Sequence, residues 1–326
     1  MIRIGIVGFG VVGQGFVELL ISKKNEVSKM IGDFKVEFIA DSKSSISGDF
    51  ELDEALKLKK MTGRLKDDKK PQELVEDAEY DVLIECSVTK LEGGDALRYI
   101  KTALKKGSHV VTSNKGPLVA EFEELMKIAE KNDVKLMYEA TVGAAIPVIR
   151  VAKGYLKTFT IKSVYGILNG TCNYILSRME EEGLDFNQVL SEAVELGIAE
   201  TDASYDIEGI DAAIKLVILA NTVGIRAKFD EVYRKGISYI TPEAFRIANE
   251  KDYTIRLVAE ASKDKLSVAP RLVKKSHPLS IKGTMNVVVF KTEEAGELYL
   301  AGRGAGKYET ASAMISDMVH IYAPSS

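Results

Sequence analysis

The sequence predicts an α/β fold, a doubly wound parallel sheet followed by a second α+β unit whose sheet is mostly antiparallel. Three observations predict it. Short apolar runs alternate with amphipathic segments as far as about residue 140, and the rhythm changes near Thr141 to a helical stretch followed by strand-like runs. A length of 326 residues suits two domains, or one domain with a large appendage.

Taken in order, residues 2–7 form the first apolar run and end in glycines. Further runs at 36–40, 81–86, 109–112 and 135–140 read as strands. Helical periodicity fills 11–30, 71–76, 95–106 and 119–132. Short apolar strands joined by helices imply parallel pairing, with right-handed crossovers and helices on both faces. The charge-rich stretch 57–70 reads as a solvated helix and loop. Beyond Thr141 a strand pattern covers 159–168. Helical patterns follow at 171–182, 186–196, 207–223 and 242–250. Strands return at 255–261, 266–273, 285–291 and 297–301, and a glycine turn at 302–306 leads into a last helix at 308–322.

Hydrophobic residues make up 46% of the chain, enough for a substantial core. No apolar run approaches the roughly 20 residues of a membrane-spanning helix, so no membrane partner is expected. The net charge is −4 and the basic residues are scattered among acids, which argues against nucleic acid as the main partner. Ile2 already lies in the first strand, so no signal peptide is expected and the cytoplasm is the expected compartment. Cys86 and Cys172 show no paired spacing and read as reduced thiols.

The first strand runs into Gly8-Phe9-Gly10-Val11-Val12-Gly13, a G-x-G-x-x-G between a strand and a helix. In that context the pattern is the fingerprint of a Rossmann-type dinucleotide site. The first glycine allows a tight turn, the second lets the backbone approach a pyrophosphate, and the third lets helix pack on strand. The helix N-terminus then offers N–H groups and a partial positive charge to the phosphates. The second strand ends in Asp41-Ser42-Lys43-Ser44. An acid there usually binds the ribose hydroxyls of NAD, whereas Lys43, with Lys57, Lys59 or Lys60, could meet the 2′-phosphate of NADP. Both cofactors stay open on this reading, and each lysine taken singly reads best as a solvated charge.

The fourth strand ends in Thr112-Ser113-Asn114-Lys115-Gly116-Pro117. Ligands in open α/β sheets lie at the carboxyl ends of strands, which directs Lys115 toward the nicotinamide end. Downstream, residues 166–174 leave a strand, turn at Asn169-Gly170 and start a helix capped by Thr171 or its neighbour. Such a helix start suits a substrate carboxylate. A string of carboxylates, including Glu200 and Asp206, precedes an apolar helix on which Asp211 and Lys215 are four residues apart. That helix is apolar almost all round and reads as buried. A buried lysine needs a partner, which Asp211 supplies, and burial suits a lysine to proton transfer. Spacing alone fits a purely structural ion pair equally well.

The segment GILNGTCNYIL, at residues 166–176, resembles the signature of the homoserine dehydrogenase family. GIAETDASYDIEGIDAAIKL, TSNKGPL and YEATVGAAIP are similar to that family's other characteristic blocks, in the same order along the chain. The resemblance implies an NAD(P)-dependent enzyme that interconverts homoserine and aspartate semialdehyde. It implies three regions: a nucleotide-binding domain at 1–138, a catalytic and dimerisation domain at 139–301, and a segment at 302–326 returning to the first. It gives Lys215 the acid/base role, Asp211 an orienting role, and Lys115 contact with both cofactor and substrate. Gly170 and Thr171 become the substrate-holding turn, with Glu200 and Asp206 near the substrate amino group. Cofactor contacts fall on the glycine-rich turn, Ser42, Lys43, Ser87, Lys115 and Gly306. Glu139, Val142, Ala144 and Ile146 match a loop that can hold a sodium ion through carbonyls and a carboxylate. The expected assembly is a homodimer through the central sheet. Two departures stand out: Cys172 where threonine is usual, and Ile198 where some members carry tyrosine. No kinase or regulatory domain is expected beside these regions. The competing classes are another amino-acid or oxo-acid dehydrogenase on this scaffold and a catalytically silent nucleotide-binding regulator.

Overall fold

In the computed structural model, which describes residues 1–323, the chain divides into two compact units. One is Met1–Ala144 together with the chain from Gly306 onward, and the other is Ala145–Ala305. The last three positions of the segment 302–326 lie outside the described residues.

The first unit opens on β1 (Ile2–Val7), with Ile4 and Ile6 fully buried. Helix α1 (Val11–Ser22) buries Phe16, Val17 and Leu20, one face of the 3.6-residue period. Each such side chain stabilises the fold by about 1.5–3 kcal/mol. There follow α2 (Lys24–Ile31), β2 (Phe34–Ala40), β3 (Ser45–Ser47), α3 (Leu52–Thr62), α4 (Pro71–Asp77) and β4 (Val82–Glu85). Next come α5 (Gly94–Lys105), β5 (His109–Thr112), α6 (Lys115–Lys131) and β6 (Leu136–Met137). The sheet order is β3-β2-β1-β4-β5-β6, all parallel except the β3 edge. The chain runs from β1 through β2 to β3 on one side and then crosses to β4, β5 and β6 on the other, so the strand order reverses between β1 and β4. In a doubly wound sheet that reversal opens a crevice at the carboxyl ends of the strands.

The helix expected over 11–30 is two helices, broken at Lys23 (φ −109°, ψ 17°). No Gly or Pro marks the break, and α2 buries only Val27. The strand expected over 135–140 shrinks to two residues because Glu139–Thr141 closes into a 3-10 turn. Helix α6 begins at Lys115, ahead of the expected 119, capped by Asn114 and bent at Glu121. Lys115 therefore sits on the first turn of a helix.

The second unit contains α7 (Val148–Lys153), β7 (Ile161–Ile167), α8 (Gly170–Glu182), α9 (Phe186–Glu195), α10 (Ser204–Ile207) and α11 (Ile210–Thr222). Then come β8 (Tyr233–Arg234), α12 (Pro242–Asn249), β9 (Tyr253–Ser262), β10 (Lys265–Lys274), β11 (Met285–Thr292) and β12 (Glu297–Arg303). The sheet order is β12-β11-β7-β9-β10-β8, antiparallel except for the short β8–β10 pairing. Helix α11 is buried at every position from Asp211 to Ala220 and lies against β7 and β9. It starts at Ile210 and not at 207, because Gly209 at φ 76° separates it from α10. Strand β12 runs on to Arg303, into the expected glycine turn. Helix α13 (Lys307–Tyr322) then packs on α1 in the first unit, burying Met314 and Met318.

Candidate active site

Two groups of side chains carry chemistry, one in each unit. In the first unit, the β1–α1 turn has the geometry its glycines predict. Gly8 adopts φ 96°, and a Cβ there would stand 2.3 Å from the Cys86 backbone. A Cβ on Gly13 would stand 2.0 Å from the Gly8 carbonyl oxygen. Gly10 differs, since nothing lies within 4 Å of where its Cβ would be. Gly10 is also the N-cap of α1, and no side chain caps that helix. Open space over uncapped N–H groups is the arrangement a pyrophosphate needs, so these residues fit a dinucleotide. The Phe9 ring is buried in the core, which leaves only its backbone to serve a ligand, whereas Val11 is exposed.

A cleft of about 470 Å³ opens over this turn, lined by Gly8, Phe9, Gly10 and Val11 and by Ser42, Lys43, Lys59, Ser87 and Lys90. Its size falls within the ordinary range for small-molecule sites. Lys115 and Gly306 lie outside its lining. Asp41 also borders the cleft, but its carboxylate is engaged. Oδ1 accepts from the Lys43 and Ser44 N–H groups at 2.8 and 3.0 Å, and Oδ2 accepts from Lys59 Nζ at 2.6 Å. Lys59 is thus not a solvated charge. Its ammonium pairs with Asp41 and donates to the Gly63 carbonyl closing its own helix. The approach of α3 to the end of β2 joins residues 18 apart, which sequence spacing does not reveal.

Just before the lining residues Cys86 and Ser87, Glu85 ends β4 with no exposed surface. Its carboxylate accepts from the Ser87 N–H at 2.9 Å, from the Ser87 hydroxyl, and from Thr112 Oγ1 at 2.9 Å. Burial pushes this acid upward, and the Ser87 and Thr112 donors oppose that shift. Asn114 donates its N–H to Thr112 Oγ1 at 3.0 Å and its amide to the Ser87 carbonyl at 3.2 Å. Its side-chain oxygen caps α6 by accepting from the Gly116 N–H at 3.1 Å. Sequence reading missed Glu85. An acid closing an apolar strand was its only signal.

In the second unit, β7 delivers Leu168 and Asn169 to the start of α8. Asn169, not Thr171, is the cap, its oxygen accepting from the Cys172 N–H at 2.8 Å. Its amide donates to Asp206 Oδ1 at 2.7 Å and to Asp211 Oδ2 at 3.0 Å. On α11, Lys215 and Asp211 are each 6% exposed. Lys215 Nζ lies 2.8 Å from Asp211 Oδ2 and donates to the Leu168 carbonyl at 2.9 Å. The Thr171 hydroxyl donates to the Ile198 carbonyl at 3.2 Å, tethering the loop that carries Glu200. Lys215, Asp211, Asp206, Gly170 and Thr171 therefore gather around Asn169, whereas Glu200 is exposed. Asn169 was readable as a residue between strand and helix, but its role as hub was not, since its partners are 37 and 42 residues away.

Cys172 donates its thiol to the Asp206 carbonyl at 3.1 Å, and burial with two nearby carboxylates pushes it well up. It is an unreactive thiol. Both cysteines are free. Glu139, Val142, Ala144 and Ile146 are all buried, and Ala144 takes a left-handed φ of 46°. Glu139 brings one carboxylate to that segment, and among the described residues no three His, Cys, Asp or Glu side chains gather to hold a metal. Among them too, no helix is long and apolar enough to cross a membrane.

The chain matches two family models, described as homoserine dehydrogenase over residues 147–319 and as homoserine dehydrogenase, NAD binding domain, over residues 8–139. A homoserine dehydrogenase of Methanocaldococcus jannaschii is 46% identical, with 97% of each chain covered. The crystal structure of a putative homoserine dehydrogenase from Archaeoglobus fulgidus superposes with a TM-score of 0.96 at 63% identity, covering 99% of this chain and 100% of that one. A hyperthermophilic archaeal homoserine dehydrogenase in complex with NADPH superposes with a TM-score of 0.86 at 35% identity, covering 98% and 97%. Matches over nearly the whole length, with a dinucleotide turn in one unit and a buried lysine–carboxylate cluster in the other, lead to one conclusion: the chain belongs to the homoserine dehydrogenase family of NAD(P)-dependent oxidoreductases.

Proposed function

We propose that this protein interconverts L-homoserine and L-aspartate 4-semialdehyde with NAD(P), a reaction of amino-acid biosynthesis leading toward threonine and methionine. The observation that carries the reading is the Lys215 ammonium, buried on α11 between Asp211 and the Leu168 carbonyl beside the Asn169-Gly170-Thr171 turn. Lys215 protonates the alkoxide formed on reduction and takes the hydroxyl proton back on oxidation. Asp211 holds that amine in place and balances its charge. The start of α8, at Gly170 and Thr171, receives the substrate carboxylate, and Asp206 with Glu200 receives the amino group. Fixing both ends of a four-carbon substrate removes orientational entropy before the chemistry begins. Bound nicotinamide supplies or accepts the hydride. The backbone of Gly8, Phe9, Gly10, Val11, Val12 and Gly13 holds its pyrophosphate, with Ser42, Lys43, Ser87, Lys115 and Gly306 completing the cofactor contacts.

The Asp41–Lys59 pair supports NADP. Its carboxylate already has its hydrogen bonds and its counter-ion, so it neither seeks ribose hydroxyls nor strongly repels a 2′-phosphate. The exposed Lys43 then faces that phosphate. A sodium ion held by Glu139 and the carbonyls of Val142, Ala144 and Ile146 belongs to the same proposal, as an ion that stiffens the segment. So do a cytoplasmic location, a homodimer through the central sheet, and the absence of nucleic-acid or membrane partners. Light scattering then reads twice the 35.7 kDa chain mass. The deciding assay follows nicotinamide absorbance with homoserine, and with related hydroxy and amino acids, using NAD and NADP in turn. Homoserine with NADP gives the highest kcat/KM. Preference for another acid replaces the substrate, and silence with every acid replaces the reading by a nucleotide-binding regulator.

A further inference from the structure

Glu85 is a carboxylate that core packing does not explain. It has no exposed surface, and among the described residues the groups that hydrogen-bond to it belong to Ser87, Thr112 and Asn114, with no Lys or Arg. A hydrocarbon side chain of similar volume would avoid its desolvation cost. The groups that reach it are donors: the Ser87 N–H, the Ser87 hydroxyl and the Thr112 hydroxyl, with the Asn114 amide beside them. Thr112 Oγ1 already accepts from the Asn114 N–H, so its own proton points to Glu85. The donors thus run in one direction, from Asn114 through Thr112 to Glu85, with Ser87 entering from the other side. This ties the ends of β4 and β5 together and sets the cap of α6.

Lys115 stands between two fixed neighbours. Asn114 is held on one side by five hydrogen bonds: it donates to the Thr112 hydroxyl, to the carbonyl and hydroxyl of Ser87 and to the Val88 carbonyl, and it accepts from the Gly116 N–H. Gly116 is held on the other, where a Cβ would stand 2.0 Å from the Lys90 carbonyl oxygen. We propose that Glu85 is a positioning residue of the reaction: its buried carboxylate orients Ser87 and, through Thr112 and Asn114, fixes the point from which Lys115 is presented. The proposal rests on the role given to Lys115 above. A displacement of about 1 Å at such a point costs up to about a hundredfold in rate.

The test compares E85Q, T112V, K115A and the double variant E85Q/K115A by steady-state kinetics, thermal unfolding and cofactor binding. E85Q keeps the volume but turns N–H donors toward a shell of donors. T112V removes one of the two routes from Glu85 to Asn114, the hydroxyl that accepts from the Asn114 N–H, and leaves the one through Ser87. E85Q and T112V each lower kcat about tenfold or more while the KM for homoserine moves little, and the folded fraction stays that of the parent. In the K115A background, E85Q costs less than about a further twofold, because the group it positions is gone. Losses that multiply, or parental turnover in E85Q, overturn the positioning role while leaving Lys115 its own. Parental turnover in K115A overturns the Lys115 assignment, and the Glu85 role with it. If E85Q does not fold, T112V and its double with K115A make the same comparison.

Discussion

Lys215 shows how a single side chain can be both a liability and a tool. Its ammonium is nearly removed from water, and one carboxylate oxygen and one backbone carbonyl stand in for the lost solvent. Removing the amine removes the proton donor. Lys215→Ala should lower turnover by roughly 10²-fold or more and leave cofactor affinity unchanged, read by steady-state kinetics and fluorescence titration. Near-parental turnover would take Lys215 out of the mechanism. Asp211→Asn removes the counter-charge instead, leaving an uncompensated buried cation, and should cost about 3–5 kcal/mol of stability in denaturant unfolding. The pair was legible in the sequence because four residues on one helix face have no geometric freedom to miss each other. The Leu168 carbonyl, 47 residues away, was not, since only the folded sheet places the end of β7 under α11. Glu200 was read from the same acidic string as Asp206, yet only Asp206 has an Asn169 hydrogen bond to hold it inward.

The β1–α1 turn separates, within one element, glycines needed by the fold from a glycine needed by the ligand. Gly13→Ala drives a methyl into the Gly8 carbonyl and should lower the melting temperature sharply. Gly10→Ala meets no protein atom, so stability should hold while the KM for NAD(P) rises several-fold. A similar loss of stability in both variants would mean that the turn serves the fold alone. Helix α13 gives a second prediction at this scale. Glu18 on α1 receives Lys307 Nζ at 2.6 Å, Lys60 Nζ at 2.7 Å and the Tyr308 hydroxyl at 3.0 Å. The Lys307 and Lys60 contacts hold its carboxyl down at about 2. A depressed acid stabilises the fold fully above its unfolded value near 4.3 and loses that contribution as pH falls toward about 2. Glu18→Gln should therefore unfold at lower temperature than the parent at pH 6, with the gap closing as the melts are moved toward pH 3. Periodicity announced α1 and α13 themselves, but neither the break at Lys23 nor the 3-10 turn at Glu139–Thr141 carries a Gly or Pro that would have signalled it.

The two units are held together internally by different means, and this governs what each can recognise. A parallel sheet with a strand-order reversal leaves backbone N–H groups pointing at open space, which suits a phosphate whatever the side chains nearby. An antiparallel sheet backed by a wholly buried helix offers no such opening, and its chemistry has to come from side chains driven inward, as Asp211 and Lys215 are. Both architectures were legible because a change of rhythm along the chain records them. The pairing of β8 with β10 was not, since two residues are too few to show a period. If this division of labour is right, each ligand should leave its mark on one unit. Hydrogen exchange of the protein with NADPH should slow at the amides of Val11, Val12 and Gly13, where α1 lacks a cap. Homoserine added to the NADP-loaded protein should slow the amides of Gly170 and Thr171, because the cap from Asn169 reaches only the Cys172 N–H and leaves the two before it to the substrate carboxylate. Protection of the α8 start by NADPH alone, with none at α1, would reverse the roles of the two helix ends and with them the assignment of substrate to the buried lysine.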